Sequence, residues 1–169
     1  MRMKRFLVVL LAGVMILGMS SAIFAAEDES TIQVTVASID ALVVTDGGTI
    51  TLDDVSGNNI TGDPDTTATL SYTHNSGNNR MILAEVEADG MPIGTQDITL
   101  TVQVAGGEAT PVNLVVGGAR NVGQQAVWNN IPRGAIQNAQ VTYTASATAS
   151  GTNAGSYTFT VTFTSQDQT

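Results

Sequence analysis

One histidine and no cysteine among 169 residues leave little room for site chemistry. A zinc site or a nucleophile–base pair needs several such side chains acting together. His74 has no such partner in the sequence. It stands beside the turn "NSGNN" (75–79) and is expected to face solvent at the end of a strand. Glu85 and Glu87 share one strand face. Carboxylates that close, about 7 Å apart on a strand, could hydrolyse glycosides, but that reaction also needs a cleft and sugar-stacking aromatics. The neighbouring Ile82, Ala84 and Val86 claim the opposite face. A solvated face is the expected role of the two glutamates.

The stretch "DDVSGNNITGDPDT" (53–66) gathers oxygen ligands: Asp53, Asp54, Asn58, Asn59, Asp63 and Asp65. Its candidate calcium ligands are Asp53, Asp54, Asp63 and Asp65. The spacing departs from the EF-hand loop, which requires alternating ligands, a fixed glycine and a final glutamate. A plain acidic loop with no metal is expected. Trp128 is the lone tryptophan, with Asn129, Asn130 and Arg133 close by. An exposed indole could stack on a sugar ring while these neighbours meet its hydroxyls. Burial of the ring in a core or at an edge is the preferred reading. "GGARNVG" (117–123) has no Lys-Ser/Thr and no strand–helix context, so it is not a phosphate-binding loop. These readings predict neither an enzyme nor a cofactor.

The elements that would position such residues read as strands. Apolar residues alternate with period two, and clusters of Gly, Asn and Asp interrupt them. "TIQVTVAS" (31–38) alternates Ile32, Val34 and Val36. "SIDALVVT" (38–45) is more continuously apolar, and "TITL" (49–52) follows the turn "DGG". "ATLSYTH" (68–74), "MILAEVEA" (81–88) and "QDITLTVQV" (96–104) are strands, with the turn "DGMPIG" (89–94) between the last two. "PVNLVV" (111–116), "QQAVWNNIP" (124–132), "NAQVTYTASATAS" (138–150) and the closing "SYTFTVTFT" (156–164) complete the set. The pattern predicts an all-β fold, an antiparallel immunoglobulin-like β-sandwich, in a single domain over 26–169. The last strand is expected at or near the centre of a sheet, with Tyr157, Phe159, Val161 and Phe163 in the core.

The first residues are laid out as a helical signal peptide over 1–25. Arg2, Lys4 and Arg5 are basic, Phe6 to Met19 is apolar, and Ala22, Ala25 and Ala26 are small residues before Glu27-Asp28-Glu29. Removal would leave Arg80, Arg120 and Arg133 as the basic residues beside fifteen acidic ones. That balance argues against nucleic acid or an anionic membrane as partner. Export predicts a secreted or cell-surface protein, with no membrane attachment after cleavage.

Three stretches carry a resemblance: "TATLSYTHNSGNNRMILAEVE", "DGMPIGTQDITLTVQV" and "AGSYTFTVTFT". Together they resemble small secreted bacterial β-sandwich proteins of the spore coat protein U and fimbrial-subunit type. The resemblance implies a surface or appendage role and no catalytic residues, and some members assemble by lending a strand to the next subunit. The expected function is a structural surface or pilus-like subunit that associates with itself or with other surface proteins. Ile32, Val34 and Val36 are the strand-exchange candidates. The alternative is an adhesive module that binds polysaccharide through Trp128, Asn129, Asn130 and Arg133.

Overall fold

A computed structural model describes residues 33–87, 96–117 and 120–168; the side chains of Glu87, Arg120 and Asn121 are not described. The signal peptide, Ile32 and the turn at 89–94 lie outside the described residues. The chain divides into two units, Met1–Val36 and Ala37–Thr169. In the first, residues 33–36 are described and form no strand.

The second unit is all-β and contains no helix among its described residues. Its strands are β1 (Asp40–Val44), β2 (Asp54–Ser56), β3 (Asn59–Thr61), β4 (Thr69–His74), β5 (Arg80–Glu87) and β6 (Ile98–Val104). They continue as β7 (Val112–Val116), β8 (Arg120–Asn121), β9 (Gln125–Ile131), β10 (Gly134–Thr148) and β11 (Thr160–Asp167). All pairings between them are antiparallel. One sheet runs β1-β4-β10-β6-β7-β8, with β3 beside the end of β10 and β2 beside β3. The other runs β11-β5-β9.

Alternation explains which side chains are buried. Ile98, Leu100, Val102 and Val104 of β6 are buried, while Thr99, Thr101 and Gln103 between them are half-buried. Leu70 and Tyr72 follow the same rule on β4, and Ile82, Ala84 and Val86 on β5. These residues join Leu114 and Val115 of β7, Val127 and Ile131 of β9 and Val141 of β10 in one buried cluster fed by both sheets. Each large apolar side chain contributes about 1.5–3 kcal/mol when fully buried.

β10 spans 15 residues because it serves three neighbours. Its first part pairs with β4, its second with β6, and its end also with β3. A bulge between Ile136 and Ala139 separates the registers on the β4 side. Asn138 sits in that bulge at φ 51°, a left-handed conformation that asparagine tolerates. Ser71 Oγ accepts its backbone N–H at 3.0 Å.

Several expectations need correction. The acidic stretch 53–66 contains the hairpin β2–β3, closed by Gly57 at φ 63°. A glycine with positive φ at the first turn position suits a two-residue hairpin, a stronger local signal than the surrounding polarity. Residues 49–52 are not a strand, while "GGARNVG" contributes the short β8. Residues 33–38 form no strand either, since an alternating pattern gains a strand only when it finds an edge to pair with. Lastly, β11 is an edge strand of the three-stranded sheet, not a central one. Phe159, Val161 and Phe163 are partly buried against the core rather than enclosed by it. The strand also continues beyond 164 through Ser165, Gln166 and Asp167.

Candidate functional site

Among the described residues, a dense polar arrangement lies where β1 and β4 of one sheet meet β5 and β11 of the other. Arg80 opens β5 in phase with Ile82, Ala84 and Val86, so the alternation turns its side chain inward. Its guanidinium pairs with Asp40 of β1 and, at 2.6 Å, with Asp167 of β11. Its Nε also donates to the Tyr72 hydroxyl at 3.1 Å. Ser165 Oγ donates to Asp40 Oδ1 at 3.0 Å, closing the circuit between the sheets. The Arg80 side chain is 13% exposed, against 39% for Asp40 and 54% for Asp167. The hydrogen bond to Asp167 raises the guanidinium pKa further, against the effect of burial. Burial also raises the Tyr72 phenol above its ordinary value. These groups satisfy one another and present no nucleophile, so the cluster acts as a clasp.

His74 belongs to this end of the molecule and overturns its expectation. It is 2% exposed, not solvent-facing. It lies in phase with Leu70 and Tyr72 on β4, and its ring stacks on Tyr72 with centroids 5.3 Å apart. Nε2 lies 3.0 Å from the Pro132 carbonyl oxygen, and Nδ1 has no hydrogen-bond partner among the described residues. The period-two signal of "TLSYTH" runs through His74 to the strand's end, despite the polar turn that follows.

The four candidate calcium ligands do not converge. Among the described residues, no group of three or more His, Cys, Asp or Glu is placed to hold a metal. Asp65 is buried and committed elsewhere. Its carboxylate accepts hydrogen bonds from Gly48 N at 2.6 Å, Thr67 N at 3.1 Å and Thr67 Oγ at 2.7 Å. Burial pushes its pKa up, but these bonds outweigh it and leave the carboxyl below its ordinary value. Asp65 also exchanges backbone hydrogen bonds with Tyr143 at 3.0 and 2.9 Å. Burial, with the Asp65 charge adding to it, pushes the Tyr143 phenol up to about 12. Asp53 and Asp54 enter the hairpin, and Asp63 is exposed before β4. Asn58 fastens the hairpin to the 149–151 turn: its Nδ2 donates to Ser150 Oγ at 2.9 Å and its Oδ1 accepts from Ser150 N at 3.0 Å.

Trp128 packs against the core cluster. The 105–108 turn lies on its ring, so close that a Cβ on Gly106 would stand 3.2 Å from Cη2. Asn129 donates to Glu108 Oε1 at 2.6 Å, and the Asn130 backbone N–H donates to Gln168 Oε1 at 2.6 Å. Arg133 is exposed beyond β9. The four residues are therefore neighbours in sequence without forming a convergent polar site. Glu85 is half-buried opposite Thr162.

Of the strand-exchange candidates, Val34 and Val36 are 79% and 75% exposed. Asn75 anchors the chain just after them, its Nδ2 donating to Ala37 O and its Oδ1 accepting from Ile39 N, both at 2.7 Å. No family model matches the chain, and no curated protein matches it. No helix among the described residues is long and apolar enough to cross a membrane.

Proposed function

We propose that this chain is an exported structural subunit of a cell surface or surface appendage, folded as an immunoglobulin-like β-sandwich. In this reading it associates with further copies of itself by strand pairing. The observation that carries it is the segment before β1. Val34 and Val36 alternate with polar residues as in a half-buried strand, yet both stand in water. Two such valines recover several kcal/mol when a partner buries them, about 1.5–3 kcal/mol each. Added to the edge of a neighbouring sheet, the segment would also satisfy its backbone groups. The basic–apolar–small layout of residues 1–25 supports export, and the filled apolar interior supports a structural rather than a catalytic role.

The carbohydrate-binding alternative draws less support, because the Trp128 ring is packed and Asn129 is already bonded to Glu108. The test compares protein beginning at Ala26 with the same protein lacking 31–37, by sedimentation over a concentration series and by electron microscopy. The intact protein is expected to form oligomers or filaments, and the shortened one a folded monomer. A monomer at every concentration for the intact protein, or equal association by both, overturns the reading.

A further inference from the structure

Pro64 is the one proline of the four that follows an aspartate. Asp63 and Pro64 are both exposed, between β3 and β4. The Asp63 carboxyl group makes no hydrogen bond or ion pair among the described residues, so it is free to turn on its own backbone. The chain is anchored on either side of this pair. Thr61 pairs with Asp54 and with Ser146. Gly62 lies so close to the Thr51 carbonyl that a Cβ there would stand 1.9 Å from the oxygen. On the other side, Asp65 is held by both backbone bonds to Tyr143 and by its buried carboxylate.

We propose that the Asp63–Pro64 peptide bond is a self-cleavage site, opened by mild acid in the folded protein, that leaves two chains held together by their strand pairing. A carboxyl oxygen of Asp63 attacks the carbonyl carbon of the same residue and closes a five-membered ring. The carbon–nitrogen bond to Pro64 breaks, and the proline nitrogen takes up a proton and leaves as a secondary amine. One water then adds to the cyclic anhydride and gives Asp63 its two carboxyl groups. The net change is one peptide bond hydrolysed and one water consumed, with no oxidation or reduction. Proline favours this course because its nitrogen carries no hydrogen in the peptide bond. After the cut, residues 37–63 stay attached through β1 on β4 and β3 on β10, and through the Asp40–Arg80 pair.

The purified protein is incubated at mildly acidic pH, about pH 4, and in parallel at neutral pH. Intact masses are followed with time, and the products are sized under native and denaturing conditions. The expected result at the acidic pH is a pair of fragments ending at Asp63 and beginning at Pro64, whose masses sum to the parent plus one water. They should co-elute natively, separate in denaturant, and be absent from Asp63→Asn and Pro64→Ala. Circular dichroism during the incubation reports whether the chain is still folded. The proposal is overturned by the absence of this cut, by a cut that appears only once the spectrum shows unfolding, or by halves that separate natively. Equal cutting of both variants, the mark of a contaminating protease, also overturns it.

Discussion

Arg80 connects three other strands from the first position of β5: Asp40 on β1, Tyr72 on β4, and Asp167 on β11. Truncation to alanine takes the Arg80 donor from the buried Tyr72 hydroxyl and the cation from two exposed carboxylates. The exposure of the two aspartates screens part of the loss. Arg80→Ala is expected to cost about 1–3 kcal/mol in urea denaturation, in the range for a buried group left unsatisfied. Asp65 gives a pH-dependent counterpart. Its folded-state pKa lies below the ordinary 3.8, so its contribution is present above that value and is lost as pH falls through the lowered folded value. Asp65→Asn should flatten the acid limb of a stability–pH curve. Tyr143 has the opposite sign of dependence. Its phenol ionises at about 12 when folded against an ordinary 10.0, so its contribution is intact below 10.0 and is lost as pH rises towards 12. An absorbance titration of the folded protein should place one phenol near that value, with Asp65→Asn moving it down.

β11 illustrates how position within a sheet, rather than pattern, sets the worth of a side chain. Phe163 stands opposite Ala84 and Val161 opposite Val86, so both face the core, but no β4-like strand flanks them on two sides. Phe163→Ala is expected to cost about 1–3 kcal/mol, because partial burial recovers only part of the transfer energy. Leu70, fully buried on β4 between β1 and β10, should cost about 2–5 kcal/mol on the same truncation. Denaturant midpoints of the two variants test that order. At the start of the 62–65 connection the constraint is backbone contact. Gly62→Ala forces a methyl group onto the Thr51 carbonyl oxygen, and overpacking of this kind costs about 1–3 kcal/mol or more.

At the scale of the whole molecule, charge opposes the proposed association. Protein beginning at Ala26 carries three basic residues beside fifteen acidic ones, so copies repel one another at low ionic strength. Salt screens that repulsion while leaving apolar contact and backbone pairing in place. Sedimentation at rising salt should therefore show stronger self-association, and Val34→Asp with Val36→Asp should abolish it at every salt concentration. Weaker association in salt would point to ion pairing between copies instead of strand pairing.

The sequence by itself determined the class of fold. Period-two alternation in "TLSYTH", "ITLTVQV" and "RMILAEVE" is a local property, and each segment became a strand with its apolar set buried. The same alternation runs through Tyr72, His74 and Arg80, but the polar turn beside His74 pointed its ring to solvent, and nothing local marked Asp40, Ser165 or Asp167 as members of the clasp. The meeting of these side chains was not legible. Asp40 and Ser165 lie 125 positions apart, and only the packing of one sheet's edge against the other brings their side chains within 3.0 Å. Strand order was likewise hidden. The regular "TFTVTFT" of the chain's end carries the same pattern at an edge as in a centre, because alternation records which face is buried and not how many neighbours a strand has. The fates of Trp128 and Asp65 were decided the same way, by a glycine turn laid over the ring and by amide and hydroxyl donors gathered around the carboxylate. Such contacts belong to the tertiary structure, since they depend on segments that no local period connects.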